Sequence, residues 1–316
     1  MAITLNWTNK NTGITNFKVY RGTSRGNLSL LTTLASTALT YSDTSASNNV
    51  LYYYQINAVI GASEEIPGSI VPYANITDTG PGPQTLVRGT MEFGYFGTLA
   101  AADFVASSDM QAAFPVGSAY ATAVTFWFKM ACNGKVLFIP NQPARSLSQS
   151  TVNTLNGLYN AGCLLGTGEA TVPHAAITAG STPVMQNKKV TFGAYEFYAR
   201  MPKAAQSTDI KSNLVIPATI TPDIAFSEAS LMASLNTTWL ATPASIAAGA
   251  MPSQPHSGNS ALVMGGATML TQHATASNVV ALLNTNGTVT SCVYASPATS
   301  SITAYIYGIL ELIPSS

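Results

Sequence analysis

The sequence predicts a mainly β protein: an N-terminal β-sandwich, then a larger β-rich domain of α+β type. Three observations lead there. Residues 1–73 alternate apolar and polar side chains with a period of two, the spacing of half-buried strands. Turn-forming residues interrupt the chain at short intervals, and the densest run, Gly80-Pro81-Gly82-Pro83, falls between the alternating segment and the rest. Helical spacing is confined to a few short stretches. At roughly 100–200 residues per domain, a chain of 316 residues accommodates two.

The first domain is assigned to residues 1–74. Ile3, Leu5 and Trp7 open the alternation. Phe17 and Val19 flank Lys18 in a second strand that ends at Tyr20, and Arg21 to Gly26 reads as a loop. Leu28 to Leu34 and Leu39 to Tyr41 follow as strands. Val50 to Ile60 places Tyr52, Tyr54, Ile56 and Ala58 on one face and Tyr53 on the other, where an exposed aromatic is a contact candidate. Ile66 to Tyr73 is the last strand. Residues 75–90 read as a Gly/Pro linker.

The second domain covers residues 91–316. A Gly-broken apolar start, Met91 to Leu99, precedes a helix over Ala100 to Ala113 with Asp103 and Asp109 on its polar side. Val124 to Met130 is a strongly apolar strand leading into Cys132 to Pro140. Thr154 to Gly166 reads as a short helical turn broken by glycine, and Val190 to Pro202 as a hairpin-like strand pair. Ser227 is an N-cap candidate for a helix to Leu240, with Leu231, Leu235 and Trp239 on one face. After a loop over Pro243 to Asn259, strands or short buried segments follow at Ala261 to Leu270 and Ala276 to Leu283. Asn284 to Gly287 supplies a hairpin turn, Val289 to Tyr294 its return strand, and Ile302 to Ile313 closes the domain.

Composition narrows the function classes. Charged residues make up 8% of the chain, against about 25% in an average soluble domain. Thirteen basic and thirteen acidic residues cancel, and a neutral surface rich in Ser, Thr and Asn favours association. No Lys/Arg stripe exists to neutralise phosphates, so nucleic acid is not an expected partner; Lys188-Lys189 is an isolated pair. No run approaches the roughly 18 apolar residues of a membrane span, and membrane insertion is not expected. The first residues lack a basic region followed by an apolar one, so they do not read as a secretory signal. Cys132, Cys163 and Cys292 form an odd, widely spaced set, read as reduced and buried.

Two resemblances add to this. Leu5-Asn6-Trp7-Thr8, Phe17 to Arg21 and Tyr52 to Val59 resemble the B, C and F strands of a fibronectin type III domain, an immunoglobulin-like sandwich. The resemblance implies that Trp7 is the core tryptophan, that Tyr52 forms the tyrosine corner, and that strand A is missing. An edge left open in this way invites pairing with another chain, or is covered by the linker or strand G of the same molecule. In the second domain, Gly134-Lys135 to Pro140, Ala161-Gly162 with Gly166, and Val190 to Pro202 ending in Arg200-Met201-Pro202 resemble a module of virion proteins from tailed bacteriophages. Ser227-Glu228 matches that module's helix start. Tyr307-Gly308 and Leu310-Glu311-Leu312 match its closing strand. The tryptophan expected after Ile139-Pro140 is absent, and the usual Arg-Pro before the last strand is replaced by Tyr-Gly-Ile. Those departures fall where related modules, with a C-type-lectin-like core, build their surface.

The resemblance implies a non-enzymatic structural protein of the virion, assembled in the host cytoplasm. A head decoration or head-fibre protein that docks on the capsid and projects a domain comes first. The alternative is a tail-fibre or baseplate component, or a glycan-binding adhesin. Expected partners are the major capsid protein or tail and baseplate proteins, further copies in a homo-oligomer, and in the adhesin case a host surface glycan. The sequence supplies no catalytic, cofactor-binding or metal residues that stand out. His174, His256 and His273 are far apart and share no ligand spacing. Glu169, Glu196, Glu228 and Glu311 are scattered, whereas a glycosidase needs two carboxylates in one cleft. No Gly-x-Ser-x-Gly elbow is present, and Gly166-Thr167-Gly168 is too short for a phosphate loop. Met264 to Met269 reads as a buried strand with a glycine bulge.

Overall fold

The computed structural model describes residues 2–61, 64–115, 123–142, 144–147, 151–164, 168, 170–171, 183–202, 228, 267–273, 280–284, 292–295 and 304–315. The protein is mainly β, as the sequence predicts. Its N-terminal strands are β1 (Ile3–Asn6), β2 (Ile14–Ser24), β3 (Asn27–Ala35), β4 (Thr40–Asp43), β5 (Leu51–Ile60), β6 (Glu64–Ile66) and β7 (Val71–Ala74). They form two sheets. β1 pairs antiparallel with β4, and β3-β2-β5 continues into both β6 and β7. Ile3, Leu5, Val19, Tyr52 and Tyr54 bury their side chains together, with Leu31, Leu34, Ile56 and Tyr73 around them. Tyr52 Oη accepts the Ser47 backbone N–H at 3.2 Å, tying the start of β5 to the loop before it as a tyrosine corner does.

Four expectations for this region need correction. Arg21 to Gly26 is not a loop: β2 runs to Ser24 and β3 starts at Asn27. Arg21 and Gly22 pair with Tyr54 and Tyr53 of β5, so strand pairing on the far side overrides the turn-like composition. A Cβ at Gly22 would stand 2.0 Å from the Asn27 carbonyl oxygen, which explains the glycine. Second, Ile66 to Tyr73 is not one strand. Pro67 ends β6, and Gly68 turns so close to β5 that a Cβ there would lie 2.3 Å from the Ile56 oxygen. Third, Trp7 lies just past β1 and is half-buried, stacked edge-on against Phe17 at 5.5 Å. Fourth, Tyr53 is buried, 7% exposed, because residues of the following sheet cover it.

The second half contributes β8 (Arg88–Gly89), β9 (Phe93–Ala100), a 3-10 turn (Ala101–Asp103), α1 (Ser107–Ala113), β10 (Phe126–Cys132), β11 (Lys135–Pro140), β12 (Arg145–Leu147), α2 (Thr151–Asn160), β13 (Ala170–Thr171), β14 (Val184–Met185), β15 (Lys189–Phe192) and β16 (Tyr195–Arg200). It ends with β17 (Ala267–His273), β18 (Val280–Asn284), β19 (Cys292–Ala295), β20 (Ala304–Ile306) and β21 (Ile309–Leu312). An antiparallel seven-stranded sheet runs β15-β16-β21-β11-β10-β9-β8. A five-stranded sheet runs β12-β20-β17-β18-β19, with β17 and β20 parallel, and β13 pairs with β14.

One face of the large sheet carries Trp127, Phe138, Phe197, Leu310 and Leu312, and packs with Met110, Phe114, Leu158 and Tyr159 of the two helices. β10 is buried on both faces, which is why it reads as a continuous apolar run rather than an alternation. Its turn into β11 is Asn133-Gly134, with φ of 52° and 78°, the pair of left-handed residues that a two-residue hairpin requires.

Ala100 to Ala113 does not form one helix. Phe104 stacks on Trp127, Phe138 and Phe197, and the Val105 carbonyl accepts the Trp127 Nε1–H at 2.9 Å. Phe104 (φ −135°, ψ −87°) and Ala106 (φ −75°, ψ 160°) leave the helical region, which separates the 3-10 turn from α1. Asp103 and Asp109 are exposed, as expected. The short turn expected from Thr154 is the longer α2. Its end is closed by Cys163 N–H to Leu158 O and Gly162 N–H to Tyr159 O, with Gly162 at φ 76°, the bond pattern of a Schellman cap. The hairpin at Val190 to Pro202 is β15–β16. Ile302 to Ile313 splits between two sheets at Tyr307-Gly308, where a Cβ on Gly308 would meet Met110 and Phe114 at 2.7 Å. β17, β18 and β19 overlap the segments expected to be strands, each ending one to three residues beyond the expected bound. Asn286-Gly287, Pro243 to Asn259, Met264 to Gly266 and all of Ser227 to Leu240 except Glu228 lie outside the described residues.

Candidate functional site: a buried arginine cluster and a carboxylate clamp

Arg200 ends β16 on the face opposite the aromatic core, and it is 1% exposed. Its Nη1 and Nη2 donate to the two carboxylate oxygens of Glu228 at 2.8 and 2.6 Å, the planar fork matched to a carboxylate. Its Nε donates to Glu311 Oε2 at 2.8 Å, and Nη1 also donates to the Met201 carbonyl. Lys135 Nζ reaches the other Glu311 oxygen at 2.5 Å. Two cations and two carboxylates therefore balance. Burial would depress the guanidinium pKa, but the two carboxylates outweigh it and raise it. Cys132 lies in the same low-dielectric surroundings: burial, with Glu228 adding to it, pushes its thiol pKa up.

Of the four scattered acids, the fold brings Glu228 and Glu311 together and leaves Glu196 exposed on β16; Glu169 lies outside the described residues. Both joined carboxylates accept from Arg200, and Glu311 accepts from Lys135 as well.

The second charged group lies between the sandwich and the large sheet. Glu92, 3% exposed, sits in the turn before β9. Its oxygens accept from Arg25 Nε at 2.9 Å and Nη2 at 2.5 Å, and from Tyr53 Oη at 2.8 Å. Arg25, in the β2–β3 turn, also lies 5.2 Å from the Tyr53 ring centroid. Main-chain bonds from Asn133 N–H to Glu92 O and from Gly134 N–H to Met91 O extend the β9–β10 pairing and fix Glu92 on the large sheet. A Cβ on Gly134 would fall 2.9 Å from Leu51 Cβ, so this turn comes close to β5. Burial, then the bond to Glu92, raises the Tyr53 phenol pKa. Sequence reasoning missed Glu92 because its partners lie 39 and 67 residues away.

The Gly/Pro segment is held to the sheet by a lysine. Lys129, fully buried on β10, donates to Thr79 Oγ1 at 2.9 Å, the Gly80 carbonyl at 3.2 Å and the Pro83 carbonyl at 2.7 Å. Gln84 Nε2 pins the same turn through the Gly80 and Gly82 carbonyls. Burial pushes the Lys129 pKa down to about 8.

An open cleft of about 290 Å³ lies at the free side of the sandwich, between the end of β1 and the β6–β7 segment. Leu5, Trp7, Phe17, Ile56, Val71 and Tyr73 supply its apolar walls, and the Trp7 Nε1–H beside it is buried without an acceptor among the described residues. Cys163 is buried like Cys132, its thiol pushed up to about 12 by burial. Among the described residues, no group of three or more His, Cys, Asp or Glu side chains could hold a metal ion. His174 and His256 lie outside them, and His273 ends β17.

No family model and no curated protein matches the sequence. Among solved structures, the chain is similar to pectate lyase Pel3 from Pectobacterium carotovorum at 24% identity, covering 23% of this chain and 24% of that one with a TM-score of 0.22. It is similar to pectate lyase PelI from Erwinia chrysanthemi at 20% identity, covering 23% of this chain and 26% of that one, again with a TM-score of 0.22. The chain spans about a quarter of the length of these structures.

Proposed function

We propose that the chain is a non-enzymatic structural protein of a tailed-phage particle, a head decoration or head-fibre protein that docks on the capsid and projects one of its units. The observation that carries this is the arginine cluster. Its four charged residues come from four separate stretches that resemble the virion module: Gly134-Lys135, Arg200-Met201-Pro202, Ser227-Glu228 and Leu310-Glu311-Leu312. Those short motifs meet in one buried ion cluster, which gives a physical reason for their occurring together. Two more matched positions have packing roles: Gly162 caps α2, and Gly308 fits under Phe114.

Charge usage supports the same reading. Of 26 charged residues, the ion pairs among the described residues engage ten. Charge in this chain serves internal joints, as suits a protein whose work is mechanical. An antibody raised against the full chain is the test, applied to phage particles purified from the strain that encodes it. Labelling of heads in electron micrographs is expected. Labelling of tails selects the tail-fibre or baseplate alternative, specific binding of the full chain on a glycan array selects the adhesin, and particles devoid of the chain overturn the proposal.

A further inference from the structure

We infer that β1 is a docking edge for a second copy of this chain, two β1 strands pairing antiparallel about Thr4. Among the described residues β1 pairs with β4 alone. The Trp7 N–H donates to Leu39 O at 3.1 Å and Thr40 Oγ1 donates to Leu5 O at 3.1 Å, so the odd residues direct their backbone groups at β4. Alternation along an antiparallel strand then places the N–H and C=O of Thr4 and Asn6 on the open side. Natural edges are blunted by charge, proline or a bulge. Ile3–Asn6 carries no charge and no proline, and its register with β4 runs without a shift. The adjoining cleft is likewise lined without a charged side chain.

A second copy is the occupant because this edge is complementary to itself. Thr4 opposite Thr4 exchanges two N–H···O=C bonds. Ala2 then falls opposite Asn6 on either side and exchanges two more at each end. Ile3 faces Leu5 across the joint, so the inward apolar sets of both copies stay on one side of the combined sheet instead of flipping. The joint turns two strands into the order β4-β1-β1-β4, past the three strands at which a sheet becomes independently stable. The chain's formal net charge is zero, so no overall repulsion opposes it. Four-residue strands bury less than the roughly 1,200 Å² of a stable interface, so the dimer is weak and concentration-dependent. This inference rests on β1 and not on the virion reading.

The test is sedimentation velocity on the full chain, from micromolar to near-millimolar concentration, for the wild type, Thr4→Pro and Thr4→Lys. A monomer–dimer equilibrium is expected for the wild type. Proline at residue 4 removes an N–H that β4 does not use and is tolerated on an edge; it weakens the dimer about tenfold or more, with the circular dichroism and melting temperature unchanged. Lysine at this exposed position sets like charges opposite each other, and weakens the dimer in a way that added salt relieves. A wild type that stays monomeric overturns the inference, as does an oligomer that persists in Thr4→Pro. Should Thr4→Pro not fold, a dimer unchanged in Thr4→Lys at low salt overturns it equally.

Discussion

The sandwich and the seven-stranded sheet solve the same problem of burying β-strands with few charges, but they place those charges differently. In the sandwich each ion pair has a partly exposed cation, Lys18 at 29% and Arg21 at 23%, although Asp43 itself is buried. Lys18 meets Glu65 on the outer face, and Arg21 reaches Asp43 at the end of the core. Desolvation alone would raise the Asp43 pKa, yet bonds from Tyr54, Ser45 and Arg21 outweigh it and keep it low. In the large sheet two cations lie inside: Arg200 and Lys129 are both buried, each wrapped by oxygen acceptors, while Lys135 stays about half exposed. A partly exposed pair contributes little and tolerates loss, whereas a buried charge stripped of its partners is costly. The larger unit is therefore the one whose polar contacts cannot be pruned singly.

The strongest way to break this contrast is Arg200→Met, which removes the guanidinium that Glu228 and Glu311 share and leaves Lys135 as the cation beside Glu311. A loss of about 3–5 kcal/mol is expected in denaturant unfolding; a loss below about 1 kcal/mol, as at an exposed pair, would erase the distinction. Next comes a tryptophan comparison. Trp127→Ala removes a fully buried ring and its bond to Val105, and costs about 3–5 kcal/mol. Trp7→Ala removes a half-buried ring at the cleft and costs about half of that. Equal losses would show that the cleft is closed in solution.

Glu92→Gln weakens the clamp that joins the units by about 1–2 kcal/mol. Calorimetry should then resolve two transitions where the parent shows overlapping ones; a single unshifted transition would show that the units are coupled elsewhere.

The smallest effect is a pH response. Lys129 is held at about 8 in the folded protein against an ordinary 10.5. Between those values the unfolded chain binds a proton that the native state has released, so this residue makes stability rise with pH across that window. Below about 8 both states are protonated and the slope from it vanishes. Unfolding free energies measured from pH 7 to 10 in the parent and in Lys129→Met should differ in slope, the variant lacking the rise. Parallel curves would contradict the burial of this amine.

Legibility in the sequence follows the same division. β1 and the middle of β2 were legible because buried residues alternate there with less buried ones; β5, buried on both faces at Tyr53 and Val59, still falls within Val50 to Ile60 with Tyr52 and Tyr54 in the core. The clearest local misreadings there were Arg21 to Gly26 and Tyr53, both decided by partners distant in sequence. In the large sheet, β10 was legible as an apolar run, and the Asn133-Gly134 turn carried the same signal that was read at Asn286-Gly287. The arginine cluster had no local signal at all. Its members stand 28, 111 and 176 residues apart; the pairing of β16, β21 and β11 brings Arg200, Glu311 and Lys135 together, and Glu228 reaches Arg200 from outside those strands. Resemblance supplied the motifs but not the contact between them.

The place of β21 has a consequence in time. It fills the gap between β11 and β16, yet Glu311 is synthesised 111 residues after its partner Arg200. At roughly 5–20 residues per second, a ribosome takes on the order of ten seconds to cover that distance. Throughout that interval β11 and β16 wait with bare edges, while the sandwich, complete by Ala74, has long since been able to close. A nascent chain of this protein thus emerges half finished, and translation stalled before Ile309 leaves a sticky intermediate that the cell's chaperones must hold.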